Sequence, residues 1–143
     1  MILTLIFAPC STKITGKMNI DIKFENGRIV PYLGPQEITM EVSPFLIFLA
    51  TAGMCSAVFV QAFMQQRGLS TEGVKIVQKM NYNQFTNQVH DIDIHIDLPA
   101  HFPEKYKSAI VNVVNQCPVK QHLLQPPTFN VIPHLANEQT RVA

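Results

Sequence analysis

The run from Phe45 to Val60, inside PFLIFLATAGMCSAVFVQAFM, constrains this chain more than any other feature. It is apolar on every side of a helix and approaches the length of a bilayer span. No Lys or Arg flanks its start, and Gln61, Gln65 and Gln66 follow at once, which is poor flanking for a membrane segment. The rest of the chain reads as half-buried strands, which need a core to pack into, so the expectation is a soluble protein with no membrane span. Ser43-Pro44 opens the helix, Ser as N-cap and Pro at the first helical position. Gly68 stops it, and Arg67 suits its negative end. The predicted helix is roughly 24 residues, or about 36 Å. That exceeds what a small domain needs and points to packing against a second subunit.

The strands frame this helix. Ile20, Ile22 and Phe24 alternate with Asn19, Asp21 and Lys23 over 18–24, the pattern of a half-buried strand. Asn26-Gly27 is the strongest short hairpin signal, and 29–33 can return as the partner strand. Residues 74–82 alternate with Val74, Ile76 and Met80 on one face. After the turn NQFTNQ, Ile92, Ile94, Ile96 and Leu98 point one way and Asp91, Asp93, His95 and Asp97 the other. The two segments make an antiparallel hairpin with one wet face. An amphipathic helix over 104–116 carries Tyr106, Ala109, Ile110, Val113 and Val114 on one stripe. Cys117-Pro118 interrupts it, a short helix restarts at the proline, and TFNVI over 128–132 reads as a last strand. The order β-β-α-β-β-α-α-β is an α+β pattern.

A chain of 143 residues with 47% apolar and 15% charged side chains is globular, and most simply one domain over 1–143. Residues 1–17 are expected as a strand or arm, and 134–143 as a loose tail. MILTLIFAPCS has no basic start and too short an apolar part for a signal peptide. A formal charge of +1 with scattered Lys and Arg gives no reason to expect nucleic acid as a partner. Three cysteines without dense spacing argue against a disulfide scaffold and for a reducing, cytoplasmic setting.

Two of those cysteines could carry chemistry. With Pro118 as the first helical residue, Cys117 is the N-cap of the short helix. Free backbone N–H groups and the positive end of the dipole then face its sulfur and favour thiolate. Lys120 adds positive charge within the same turn. The alternative is a small apolar residue at a helix break. Cys55 lies about three turns into the long helix, where the dipole helps little. Its apolar neighbours Met54, Val58 and Phe59 would raise its pKa unless a cation intervenes. Arg67 is about 18 Å further along the same helix. Arg28 is the only arginine before the helix.

The long helix SPFLIFLATAGMCSAVFVQAFMQQRGL, followed by a hairpin and then NQCPVKQHL, resembles the OsmC/Ohr family of osmotically inducible protein C and organic hydroperoxide resistance proteins. The resemblance covers roughly residues 18–133, and the Cys-Pro element with its spacing is its most specific part. It implies an OsmC-like fold, an antiparallel sheet packed on a long central helix, and an intertwined homodimer with two sites at the subunit interface. It also implies a dithiol peroxidase cycle without a cofactor. Cys55 attacks an organic hydroperoxide and becomes a sulfenic acid, Cys117 condenses with it to a disulfide, and a dithiol reductant restores both. The pKa argument taken alone favours Cys117 as the attacker. Arg28 is the candidate for the family's activating arginine. The family usually reads Asn-Pro-Glu at the helix start, its Glu holding that arginine. Here Phe45 stands after Pro44, and neither Glu41 nor Glu37 matches the motif. A rival of another class keeps the fold as a non-catalytic redox-sensing or small-molecule-binding protein.

The remaining constellations are weak. His90 and His95 fall on opposite faces of one strand, a poor metal pair, and no metal is expected. Cys117 and His122 do not clearly face each other, His101 and His134 read as loop residues, and Cys10 reads as a spare thiol.

Overall fold

Asn26 and Gly27 both take positive φ, 50° and 77°. This is the backbone of a tight hairpin turn whose twist matches right-twisted strands. The computed structural model describes residues 16–83 and 85–136. The expected arm before residue 16 with its Cys10, Gln84 in the second hairpin, and the tail beyond residue 136 lie outside the described residues.

Strand β1 (Gly16–Glu25) and β2 (Arg28–Leu33) flank the first turn, with Glu25 opposite Arg28. A two-residue β3 (Gln36–Glu37), which the sequence pattern did not announce, pairs with the end of β2. Helix α1 (Pro44–Gln66) follows, then the hairpin of β4 (Lys75–Asn83) and β5 (Gln88–Asp97). The five strands form one antiparallel sheet in the order β3-β2-β1-β4-β5. The expected helix over 104–116 begins as a 3-10 turn (Glu104–Tyr106) and continues as α2 (Lys107–Asn115). Helix α3 (Pro118–Leu124) restarts at the proline.

The core lies between one sheet face and α1. Met18, Ile20 and Ile22 of β1 and Ile76 and Met80 of β4 meet Leu49, Ala50, Ala57, Val60 and Met64 of α1. Ile110 and Val114 of α2 close a further side. Both ends of α1 follow from local chemistry. Ser43 Oγ accepts from the Leu46 N–H at 3.3 Å, satisfying one orphan donor of the first turn. At the other end Gly68, with φ 66°, donates to the Gln65 carbonyl and Leu69 donates to the Met64 carbonyl. That pair of bonds is a Schellman stop, which needs the left-handed conformation that glycine adopts without strain. Arg67 donates to the Phe63 carbonyl and lies 3.7 Å over the Phe63 ring. α1 is long and apolar enough to cross a bilayer, and here one side of it is laid on the sheet.

One core position is polar. Gln78 lies on the face shared by Ile76 and Met80 and is wholly buried. Its Nε2 donates to the Leu49 carbonyl of α1 at 2.7 Å, while its Oε1 finds no partner. The close approach has a counterpart in the helix: a Cβ on Gly53 would stand 2.8 Å from Gln78 Oε1 and 3.1 Å from Ile22 Cγ1.

Two expectations are corrected. The last strand does not form: beyond α3 the chain to 135 is irregular, and Phe129 and Val131 are 86% and 95% exposed. A strand requires a neighbouring ladder, and among the described residues the segment has none. The isoleucine face of β5 is also less buried than its alternation suggests. β5 is the sheet edge, past the main body of α1, and Ile92 is 37% exposed.

Candidate active site

α1 carries Cys55 near its middle, and α3 places Cys117 at its N-cap. The Gln116 and Cys117 N–H groups donate back to the Val113 and Val114 carbonyls, so α2 ends in a tight turn. Pro118 cannot donate, and it starts the next helix there. This corner packs on α1 and sets the two thiols side by side, close enough for Cys117 to act on Cys55. Both are free thiols. Both thiols of the pair belong to one protomer.

The two sulfurs stand in different surroundings. Cys117 is fully buried and Cys55 is partly exposed. Cys117 caps α3 by position, but its side chain takes no capping hydrogen bond. The Val119 N–H, in the first turn of α3, acts on Cys55 instead and favours its thiolate. The helix-end donor that sequence reasoning gave to Cys117 thus serves the other thiol. What the spacing could not show is that α3 turns its first amide toward α1.

Burial pushes the Cys55 thiol up to about 11, and the neighbouring Cys117 sulfur pushes the same way. The Val119 N–H and the Lys120 ammonium act against that rise. Lys120 lies on α3 and donates from Nζ to the Val114 carbonyl at 3.2 Å. Burial lowers its pKa, and the neighbouring Cys117 and Cys55 oppose the fall. Arg28 sits exposed at the hairpin, opposite Glu25, and is not among the charged groups that act on Cys55 in this protomer.

Two apolar grooves flank this corner. One, of about 490 Å³, is lined by Phe45, Phe48, Ala52, Val89, Ile92 and Leu123 among others. Phe45, Phe48 and Ala52 lie on the α1 face that leads toward Cys55, three or four residues apart. Phe45 stacks on Phe48 with ring centres 6.3 Å apart and tilts against Tyr82 at 6.0 Å. The other, of about 330 Å³, runs between Ile92, Ile94 and Ile96 of β5 and Val111, Val114 and Lys120 of the helical corner.

His122 Nδ1 lies 2.7 Å from the Pro118 carbonyl of its own helix. Among the described residues no group of three His, Cys, Asp or Glu side chains could hold a metal.

The chain was compared with known proteins. A search of curated proteins gives no match. An OsmC-like hydroperoxide resistance protein from Jannaschia sp. CCS1 superposes with a TM-score of 0.63 at 13% identity, over 85% of this chain and 95% of that one. At that identity the likeness speaks for the fold. The family model described as OsmC-like protein matches residues 34–132, a span that starts before α1 and holds both thiols. With most of its length inside that match and its sheet and helices laid out on the same plan, the chain belongs to the OsmC-like family.

Proposed function

We propose that this protein reduces organic hydroperoxides with its own two thiols. The observation that carries the reading is the neighbouring pair of unequal exposure: Cys55 is partly exposed, Cys117 fully buried. The exposed sulfur is suited to meet the peroxide, and the buried one only what forms on its neighbour. The Cys55 thiolate attacks the terminal oxygen of ROOH, the O–O bond breaks, and the alkoxide takes up a proton to leave as ROH. Cys55 is then a sulfenic acid. The Cys117 thiol attacks it, water leaves, and a disulfide remains. An external dithiol exchanges with that disulfide, becomes oxidised, and restores both thiols.

The grooves support a bulky, apolar R group, since Phe45 and Phe48 offer aromatic surface on the α1 face leading to Cys55. They also support assembly as a homodimer, because the apolar side chains of β5 and the C-terminal segment are left uncovered in one protomer. Arg28 remains a second cation for the site, one that a second copy would have to deliver.

Stopped-flow consumption of cumene hydroperoxide with a dithiol reductant tests the reading. Wild type is expected to turn over and Cys55→Ser to lose activity. Equal, slow rates in both would end the claim. Two observations favour a binding or redox-sensing role instead: the raised Cys55 thiol and Phe45 in place of a carboxylate. Thiol titration separates the two. An operating Cys55 pKa at or above that of a free thiol, with no peroxide turnover, establishes the binder.

A further inference from the structure

Lys120 is a partly buried ammonium whose recorded acceptor is the Val114 carbonyl. A carbonyl satisfies one of its three protons but cannot neutralise its charge. The salt bridge among the described residues is Lys107 to Glu104, on the surface and elsewhere. The groups facing Lys120 across its groove are uncharged: Ile92, Ile94 and Ile96 of β5 and Val111, Val114 and Asn115 of α2. The charged residues of β5, Asp91, Asp93, His95 and Asp97, alternate with those isoleucines and so point to the other face. The Cys117 N–H donates to the same Val114 carbonyl at 3.3 Å, so the ammonium stands at the cysteine corner, where Cys117 and then Cys55 are the ionisable groups that act on it. A cation half out of water needs an anion or loses its proton, and here a thiolate is the anion on offer.

We propose that the Lys120 ammonium, held on the Val114 carbonyl, is the counter-ion of the reactive Cys55 thiolate, the role that an arginine anchored by a carboxylate would otherwise fill. The inference deepens the peroxidase reading and rests on it for its place in the cycle. Lys120 is a positioning residue here. It stabilises the charge of the attacking sulfur and takes no part in bond making. Holding Lys120 on a backbone carbonyl needs no carboxylate, which fits an α1 that begins Pro44-Phe45. The ammonium also stands beside an apolar groove, where its field is screened less than in bulk water.

The test is alkylation of the full-length chain by iodoacetamide between pH 7 and 10, with each cysteine read separately by peptide mass spectrometry. Only thiolate reacts, so the rate at Cys55 reports its ionisation whether or not peroxide is turned over. Lys120→Met is expected to slow Cys55 alkylation at pH 8 about tenfold and to move its pH profile up by about one unit. Lys120→Arg is expected to stay within about twofold of wild type, a rescue by charge that a packing role would not show. If Lys120→Met fails to fold by circular dichroism, Lys120→Gln takes its place with the same expectation. Profiles of wild type and the neutral variant that superimpose overturn the proposal, as does an arginine variant as slow as the neutral one. Absent peroxide turnover alongside a lysine-dependent profile would remove the peroxidase reading and leave this charge pairing standing.

Discussion

Cys55 and Cys117 differ in burial, and in the proposed cycle burial decides which of them meets the peroxide. The partly exposed Cys55 thiol is pushed up to about 11 by burial, so little of it is thiolate at neutral pH and the fraction grows about tenfold per pH unit. The second-order rate of Cys55 with cumene hydroperoxide is therefore expected to climb by about tenfold per unit from pH 7 to 9, read by stopped-flow fluorescence. A plateau below pH 8 would show the charge to be far better compensated. Both cysteines were legible from sequence, one through its Cys-Pro setting and one through the helix around it. Which of them receives the helix-end amide was not legible, because that depends on how α3 meets α1. Gln78 was passed over altogether. Its position alternates with Ile76 and Met80, so the strand pattern placed it inside, and Gly53 on the facing helix was the matching mark. Gly53→Ala is expected to cost about 1–3 kcal/mol in urea unfolding, because the added methyl meets the buried Gln78 amide oxygen. A change under about 0.5 kcal/mol would mean that the amide swings aside freely.

α1 is the element on which the site depends, and its ends were the most readable part of the chain. Ser43, Pro44 and Gly68 each act by local backbone chemistry that needs no tertiary context. Ser43→Ala is expected to lower stability by about 1 kcal/mol, measured by denaturant midpoint, with the Leu46 N–H left unpaired. The strands were readable to within a residue or two for the same reason, since alternation and the Asn26-Gly27 turn are short-range signals. The segment over 128–132 reads as a strand by those rules too, yet among the described residues no ladder receives it. Local pattern reports what a segment can become, and a neighbour decides whether it does. β3 shows the converse, a two-residue pairing too short for any pattern to announce.

For the whole molecule, the uncovered surface is the informative part. Phe48, Val58 and Val111 are each at least half exposed, and the C-terminal segment adds Phe129, Val131, Ile132 and Leu135. Surface of this kind usually marks an interface. For the proposed homodimer, replacing Val131 and Ile132 together by Asp is expected to shift the species in sedimentation equilibrium toward monomer while far-UV circular dichroism holds. An unchanged mass would place the interface elsewhere or deny it.

The residues after Gln125 carry that consequence further. In the proposed homodimer, where a second copy covers this apolar area, association is part of reaching the native state. Its unfolding midpoint then belongs to the solution as much as to the protein. Hundredfold dilution should lower the urea midpoint visibly, and a midpoint indifferent to dilution would show each copy to be self-sufficient.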